Sequence, residues 1–406
     1  MLTVKQAENL ILDLIQPITD IELVNLSQAT NRILAQPITS PLDFPYWDNS
    51  AMDGYAVRFA DVMTASEDNP VTLEIIEEIP AGYCPQKVVN SQQASRIFTG
   101  AMLPEGADTI VIQENTEREG NFVKILFSPQ ENEFIRQKGS FYRANDCLLS
   151  AGIKINPPEI AILATAQCNL IPVVRSPKIA IISNGNELIT PEQTLQKGQI
   201  IDSNQYLLAS FITQNGGIPI CMGIVPDDPD LLKQTITKAL EEADLIISTG
   251  GVSVGEYDYV EKVLQELGGK IQVSSVAIKP GKPLTVSKFP HSKIYFGIPG
   301  NPVSTMVICW RFLQSAIAKL SGWQNHPYPQ LVQGITINNL RTQGQRETYL
   351  WGTVKLVEGR YEFSLNKGAH NSGNLINLQQ TNALAKIPVG EQLIEIGEEV
   401  EILLVN

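Results

Sequence analysis

Histidine is nearly missing from this chain, and cysteine is never paired. Its 406 residues hold three histidines (His291, His326, His370), none close to another or to a cysteine in sequence. The five cysteines (Cys84, Cys147, Cys168, Cys221, Cys309) form no CxxC pair, so a zinc or iron site built from His and Cys is not expected. Their apolar flanks predict buried, inert thiols. No run of roughly eighteen apolar residues occurs, which argues against a membrane-spanning helix. The opening MLTVKQAENLILDLIQ reads as an amphipathic helix rather than a secretory leader, with Leu2, Val4, Ala7, Leu10, Ile11, Leu14 and Ile15 mostly on one stripe. A cytoplasmic location is the expectation. Basic residues are also short: 30 Lys and Arg stand against 43 Asp and Glu, for a net charge of −13. That balance argues against a nucleic-acid partner or an anionic membrane surface. Neither a Walker-type Gly-x4-Gly-Lys-Ser/Thr run nor a complete GxGxxG fingerprint is present, which weakens ATPase and nicotinamide readings.

What is present is globular. The chain is 43% apolar and 18% charged, with 29 Gly and 25 Pro spread through many turns, and its length predicts roughly two to four domains. From Val71 to about Phe127, alternating β-branched segments (VTLEIIEEIPAG, SRIFTG, DTIVIQE, FVKILFSP) predict strands. A helix is expected over 156–167, where Pro157 and Pro158 suit a first turn. Apolar strands then alternate with amphipathic helices from about 175 to 322, with Asp228 as an N-cap and Pro229 as a first helical residue. This alternation predicts a mostly parallel, doubly wound α/β sheet. After HPYPQ (326–330), strand patterns return and predict a small C-terminal β domain.

Function concentrates between residues 243 and 310, in three loops that follow apolar runs. TGGVSVG (249–255) offers backbone N–H groups at Gly250 and Gly251 and the Ser253 hydroxyl, an anion cradle at a helix start. Glycines of this kind also serve as plain strand-to-helix turns. KPGKP (279–283) sets Lys279 and Lys282 on one tight turn, where two ammonium groups repel unless an anion lies between them. A solvated loop is the plainer reading, but the buried look of the preceding VAI run and the acidic whole favour the anion. PGNPVS (299–304) brackets Gly300 and Asn301 between Pro299 and Pro302 and brings up Ser304; alone it could be a turn and a cap. Carboxylates supply the other half: Glu187, Asp227, Asp258 and, in DNSAMDGYAV (48–57), Asp53. Hard oxygen ligands of this type suit Mg²⁺ bridging to phosphate, although Asp227 serves a turn or cap equally well.

Taken in order, DNSAMDGYAV, RIFTGAMLPEGADTIVIQE, GQIIDSN, TGGVSVGEYDY, AIKPGKP and IPGNPVS resemble the molybdopterin molybdenumtransferases, the MoeA and gephyrin E-domain family. The resemblance covers about residues 1–322, with a weaker echo in GQRETYLWG and SGNLINL. It implies an α/β multidomain subunit: an N-terminal mixed linker and dimerisation domain (1–44 plus 141–174), a β-rich domain (45–140) completing the partner's active site in a homodimer, the doubly wound molybdopterin-binding domain (175–325) and the C-terminal β domain (326–406). The implied reaction inserts molybdate into adenylylated molybdopterin, with Mg²⁺, and releases AMP. A molybdopterin adenylyltransferase and molybdenum-enzyme maturation proteins are the implied partners. Carried over by position, Asp53, Thr99, Glu187, Asp258 and Lys279 are catalytic. Gly250, Gly251, Ser253, Lys279, Lys282, Pro299, Asn301, Pro302 and Ser304 bind the pterin phosphate or molybdate. Glu187, Asp227 and Asp258 hold the metal. No covalent protein nucleophile is needed, because positioning and charge neutralisation suffice.

Four positions depart from the family pattern. Phe141 stands where a carboxylate is expected, Asn186 replaces an acid next to Glu187, Ser275 replaces a lysine, and a C-terminal Ser-Ser pair aligns with Ile376-Asn377. Losing two carboxylates and one lysine shifts the cleft about one unit toward positive and predicts weaker Mg²⁺ binding. An active enzyme remains the expectation, because Asp53, Thr99, Glu187, Asp258, Lys279 and both loops persist. The alternative is a catalytically weakened paralogue that binds the cofactor or acts as a scaffold. An adenylyltransferase on a similar α/β domain is disfavoured by the DNSAMDGYAV and FTGAMLPEGAD segments.

Overall fold

The computed structural model describes residues 1–251 and 259–405. These fall into two compact units: Met1–Gln36, Ala151–Pro157 and Leu170–Asn406 form one, and Pro37–Ser150 with Pro158–Asn169 the other.

In the larger unit, helix α1 (Val4–Leu14) opens with a capping box. The Thr3 hydroxyl accepts from the Gln6 amide at 3.2 Å while the Gln6 side chain accepts from the Thr3 amide at 3.0 Å. Its stripe Val4, Ala7, Ile11 and Leu14 is buried, as the sequence periodicity requires, but Glu8 is buried with it.

The doubly wound sheet follows. Its elements are β1 (Lys178–Asn184), α2 (Asn204–Gln214), β2 (Ile218–Val225), α3 (Pro229–Glu242), β3 (Leu245–Thr249), α4 (Tyr259–Glu266), β4 (Lys270–Val273), β5 (Thr285–Lys288), β6 (Ile294–Ile298) and α5 (Pro302–Ile308). Strand order is β2-β1-β3-β6-β5-β4. The first four strands run parallel; β5 is antiparallel to both its neighbours, β6 and β4, so β4 runs in the direction of the first four. Both faces are covered, which is why these strands read as continuous apolar runs. Ile179, Ile181, Ile247 and Phe296 pack toward Leu208, Phe211 and Ile212 of α2. The alternate residues Ala180, Ile182, Ile246 and Tyr295 pack toward Leu232 and Ile236 of α3 and Val260 and Val263 of α4. Asp228 caps α3 by accepting from the Asp230 and Leu231 amides at 2.9 and 3.0 Å, with Pro229 as first residue, as expected.

Helix α5 passes through a π-helical turn, Cys309–Leu313, into α6 (Gln314–Leu320). Five strands then close a small barrel: β7 (Gln330–Thr336), β8 (Glu347–Val357), β9 (Arg360–Leu365), β10 (Ala383–Ile387) and β11 (Glu399–Leu404). The ring runs β8-β9-β7-β11-β10 and returns to β8. Closure leaves no free edge among these strands.

The smaller unit is a six-stranded sheet in the order Thr109–Ile112, Gly54–Val57, Gln93–Ile97, Val71–Ile79, Phe122–Ile125, Thr116–Glu119. Tyr55, Val57, Leu73, Val111 and Val123 form one core face, and Ala56, Ile79, Ile97 and Ile110 the other. The multidomain α/β class and the strand-rich reading of 71–127 are both borne out.

The cysteine expectation is corrected. Cys84, Cys147 and Cys221 are exposed and Cys168 is half-buried; Cys309 alone of the five is buried, and all five are free thiols. Apolar neighbours in sequence do not guarantee a covered face: Cys221 lies on the sheet's edge strand β2, and Cys147 on a three-residue strand. Among the described residues, no helix is long and apolar enough to cross a membrane.

Candidate oxyanion and phosphate site

Strand register builds the site. Ser183 pairs with Thr249 and Thr249 with Ile298, so the loops after β1, β3 and β6 leave the sheet at one level. Because β2 and β3 flank β1 on opposite sides, this is the crevice at the carboxyl ends of strands where the winding direction reverses, the usual ligand position in such sheets. Gly250 begins the loop after β3 at φ +84°, and a Cβ there would lie 2.2 Å from the Asn184 carbonyl oxygen. Glycine is required for that close backbone approach.

The KPGKP turn arrives from the side. Ile278 and Lys279 pair in parallel with Glu347 and Thr348 at the start of β8, which brings that barrel strand against the lysine loop. The result is a cavity of about 530 Å³ lined by Gly250, Gly251, Lys279, Lys282, Pro299, Asn301 and Ser304. The barrel side contributes Arg346, Thr348, Trp351, His370 and Ser372. Three cationic side chains and no carboxylate line it among the described residues, in a chain of net charge −13. Such a local inversion of charge marks an anion site.

Its walls are held by hydrogen bonds. Asn204 donates to the Gly300 carbonyl at 2.7 Å, and the Thr305 hydroxyl to the Pro299 carbonyl at 2.7 Å. Asn301 donates to the Ser372 hydroxyl at 3.2 Å, and Arg346 to the Ile278 carbonyl at 3.1 Å. The remaining Arg346 donors have no hydrogen-bond partner among the described residues and are available to an oxyanion. His370 stacks on Trp351 with ring centroids 4.6 Å apart.

Of the expected residues, Gly250, Gly251, Lys279, Lys282, Pro299, Asn301 and Ser304 are brought together in this cavity. Pro302 begins α5 beside it. Ser253 and Asp258 lie outside the described residues. Asp227 is engaged within the protein: its Oδ1 accepts from the Asn184 amide and the Tyr259 hydroxyl, both at 2.8 Å, and its Oδ2 from the Asn186 amide at 3.3 Å. Burial first, and then the Asp227 carboxylate, push the Tyr259 phenol up to about 12 against the opposing Asn184 bond, so it stays protonated and donating. Asn186 returns the contact, its side-chain oxygen accepting from the Asp227 amide at 3.1 Å. Glu187, exposed, follows on the same turn. Among the described residues, no group of three or more His, Cys, Asp or Glu side chains is arranged to hold a metal ion.

In the smaller unit, Asp53 and Thr99 meet. The Thr99 amide and hydroxyl both donate to Asp53 Oδ1 at 2.7 Å, and these bonds, the amide first, hold the carboxyl below its usual range. Phe141 is exposed at 62% and lies beside Phe44, ring centroids 5.7 Å apart. Asp146, five residues on, accepts from the Arg143 amide at 2.7 Å.

Sequence reasoning missed Arg346, Trp351, His370 and Ser372. The GQRETYLWG and SGNLINL echoes held a usable signal, an arginine at the mouth of an apolar strand and a serine in a glycine-rich turn. Nothing in either segment says that it returns to a loop some seventy residues earlier; the β8 pairing with Ile278–Lys279 does.

Three family models match the chain in succession. The family described as MoeA N-terminal region (domain I and II) matches residues 2–166, that described as probable molybdopterin binding domain matches 180–319, and that described as MoeA C-terminal region (domain IV) matches 334–405. A molybdopterin molybdenumtransferase of Nostoc sp. is 51% identical, across 99% of this chain and 94% of its own length. One from Haemophilus influenzae is 36% identical across 84% of this chain and 83% of its own. The crystal structure of the molybdopterin biosynthesis moeA protein from Pyrococcus horikoshii OT3 superimposes with a TM-score of 0.85 at 30% identity, covering 100% of both chains.

Proposed function

The chain belongs to the MoeA family of molybdopterin molybdenumtransferases, transferases of molybdenum cofactor biosynthesis, and we propose that its reaction inserts molybdate into adenylylated molybdopterin with release of AMP. The observation that carries this is the cavity with Lys279, Lys282 and Arg346 and no described carboxylate. Both substrates are anions, and each bond change moves negative charge onto oxygen. Fixed cations in a preformed cleft stabilise such charge without reorganising. Lys279 and Lys282 hold molybdate or phosphate oxygens, with Arg346 completing the set from the barrel side. Asn301 and Ser304 orient the pterin phosphate, and Gly250 lets the backbone approach it.

Mg²⁺, if bound, would offset the charge that builds up on phosphate. Glu187 and Asp227 are the described carboxylates that would hold it, together with Asp258. Mg²⁺ takes one or two carboxylates plus substrate phosphate rather than an all-protein cage, which fits the lack of a three-ligand cluster among the described residues. The Asn184 and Tyr259 hydrogen bonds hold the Asp227 carboxylate in place.

The Asp53–Thr99 pair, in this reading, completes a second subunit's cleft in a homodimer, and the four segments 1–44 with 141–174, 45–140, 175–325 and 326–406 act as separate domains. A cytoplasmic setting and docking of an adenylylating protein complete the proposal.

A single-turnover assay tests it: purified protein, adenylylated molybdopterin and Mg²⁺, with and without molybdate. Molybdate-dependent AMP release supports the transferase. Tight binding without release would favour the second reading, a cofactor-binding scaffold, which the exposed Phe141 in place of a carboxylate motivates.

A further inference from the structure

A second cavity lies in the larger unit and shares no lining residue with the first. It measures about 270 Å³ and is walled by the segments around Asn31, Lys154 and Arg175, the end of α2, the π-helical turn with α6, and the Trp323–Tyr328 stretch. This volume falls just below the usual range of about 300–1,000 Å³ for small-molecule sites, so it suits a compact ligand.

Three features make it more than a gap. Gln314 lines it at 4% exposure, and its carboxamide has no hydrogen-bond partner among the described residues. Its polar atoms are not among the sealed, unpartnered ones, so they are open to whatever fills the cavity. Trp310 lines it too, at 9% exposure, with an indole N–H likewise unpartnered among the described residues. Trp310 is carried there by the π-helical turn Cys309–Leu313, a local irregularity of the kind that re-aims side chains at functional sites. Lastly, the cations are not equivalent. Arg175 is held by Asp244 at 2.9 and 3.0 Å and Arg32 by Glu22. Lys154 has no carboxylate partner among the described residues, and its ammonium stands 5.3 Å from the Trp323 ring centroid.

Buried carboxamide, an indole wall and one ammonium without a carboxylate partner match one ligand chemistry. A carboxamide presents a donor and an acceptor side by side and reads the edge of a purine bidentately. Indole faces take a flat heterocycle by stacking. A single ammonium without a carboxylate partner takes one phosphate. We propose that this cavity is a binding site for a purine nucleoside monophosphate, with the base against Trp310 and Gln314 and the phosphate on Lys154. The inference does not depend on the proposed reaction, although AMP, its product, would be such a ligand.

The test is calorimetric titration of AMP into the full-length Lys279→Ala/Lys282→Ala protein, in which the first cavity has lost two of its cations, backed by a crystal soaked with AMP. One equivalent bound, with density beside Gln314, is the expected result. Adding Lys154→Ala should weaken binding about tenfold and abolish the preference for AMP over adenosine. Gln314→Met should also weaken it about tenfold. Inorganic phosphate alone should not compete. The proposal fails if AMP does not bind the double variant, if it binds with the same affinity after both Lys154→Ala and Gln314→Met, or if the soaked nucleotide lies elsewhere. Since these measurements involve no turnover, they stand or fall separately from the molybdate-insertion assay.

Discussion

Glu8 and Arg311, 303 residues apart in sequence, form a two-pronged ion pair at 2.7 and 3.2 Å with each side chain 4% exposed. The pair continues into the functional cavity. Arg311 Nε donates to the Tyr349 hydroxyl at 2.9 Å, Tyr349 donates to Glu347 at 2.6 Å, and Tyr349 lines the anion site. Helix α1, the π-helical turn and β8, the strand that flanks Lys279, are thereby tied to one another.

Buried ion pairs are costly to break and cheap to replace whole. Arg311→Met alone leaves a buried carboxylate, and a loss of about 3–5 kcal/mol is expected. Glu8→Leu in the same chain should restore most of it, since packed apolar groups of similar size often match such a pair. Denaturant midpoints of the two variants check this. If the double variant is no more stable than the single, the pair is not what holds the three elements together.

The same pair gives stability an acid limb. Burial acts to raise the Glu8 pKa, but the Arg311 and Lys5 contacts outweigh it and hold the carboxyl below its usual range. A depressed carboxyl contributes stability that is fully present above its unfolded pKa and is lost as pH falls through the folded value. Stability should therefore decline as pH drops below the ordinary carboxylate range, near 4.3 for an unfolded glutamate. Unfolding curves for the wild type and Glu8→Gln, measured from neutral pH downward, should converge in acid. Parallel curves would remove Glu8 from the explanation.

Loss of one fixed donor from a site that stabilises developing negative charge typically costs about 10²–10³ in rate. Lys282→Ala and Arg346→Ala should each slow molybdate-dependent AMP release by about that factor, with unchanged unfolding midpoints, since neither side chain is part of a core. Single-turnover rates decide it. A fall confined to Lys282→Ala would place the reacting anion away from the barrel wall.

Much of this was legible in sequence, and the reason differs by element. The doubly wound sheet was readable because strands buried on both faces leave unbroken apolar runs, as in β1, β3 and β6. The Asp228 cap and the amphipathic α1 were readable because their signals are local. Lys279 and Lys282 could be placed in one site because like charges on one tight turn need a reason, and both line the same cavity. Arg346 could not be placed, because its position depends on a two-residue parallel pairing between distant segments. Glu8 carries no local sign of burial, yet it is buried with a partner 303 residues away. Cysteine burial failed for a related reason: local apolarity does not say which strand becomes an edge.

Gly250 sits where an ordinary residue would be doubly penalised. Its φ of +84° is unfavourable for a side chain, and a Cβ would approach the Asn184 carbonyl oxygen to 2.2 Å. Backbone strain of this kind costs about 1–3 kcal/mol before any steric shift. Gly250→Ala should lower stability by at least that amount and weaken anion binding in the cavity, read by molybdate titration. An alanine variant that binds molybdate as tightly as the wild type would show that the loop after β3 does not set the geometry of the site.

Phe141 bears on whether this chain works at the pace of its relatives. The ring is 62% exposed and touches Phe44 rather than a core, so Phe141→Asp should change stability by no more than about 0.5 kcal/mol. Any effect on rate therefore reports on function rather than folding. If a carboxylate at this position were needed for the chemistry, restoring it should raise single-turnover AMP release sharply. The expected outcome is an unchanged rate, because Asp53 is already held ionised by two Thr99 donors and the cationic cavity is complete without position 141. A marked gain would mean that the native site runs below its capacity, and would move the balance toward a cofactor-binding role.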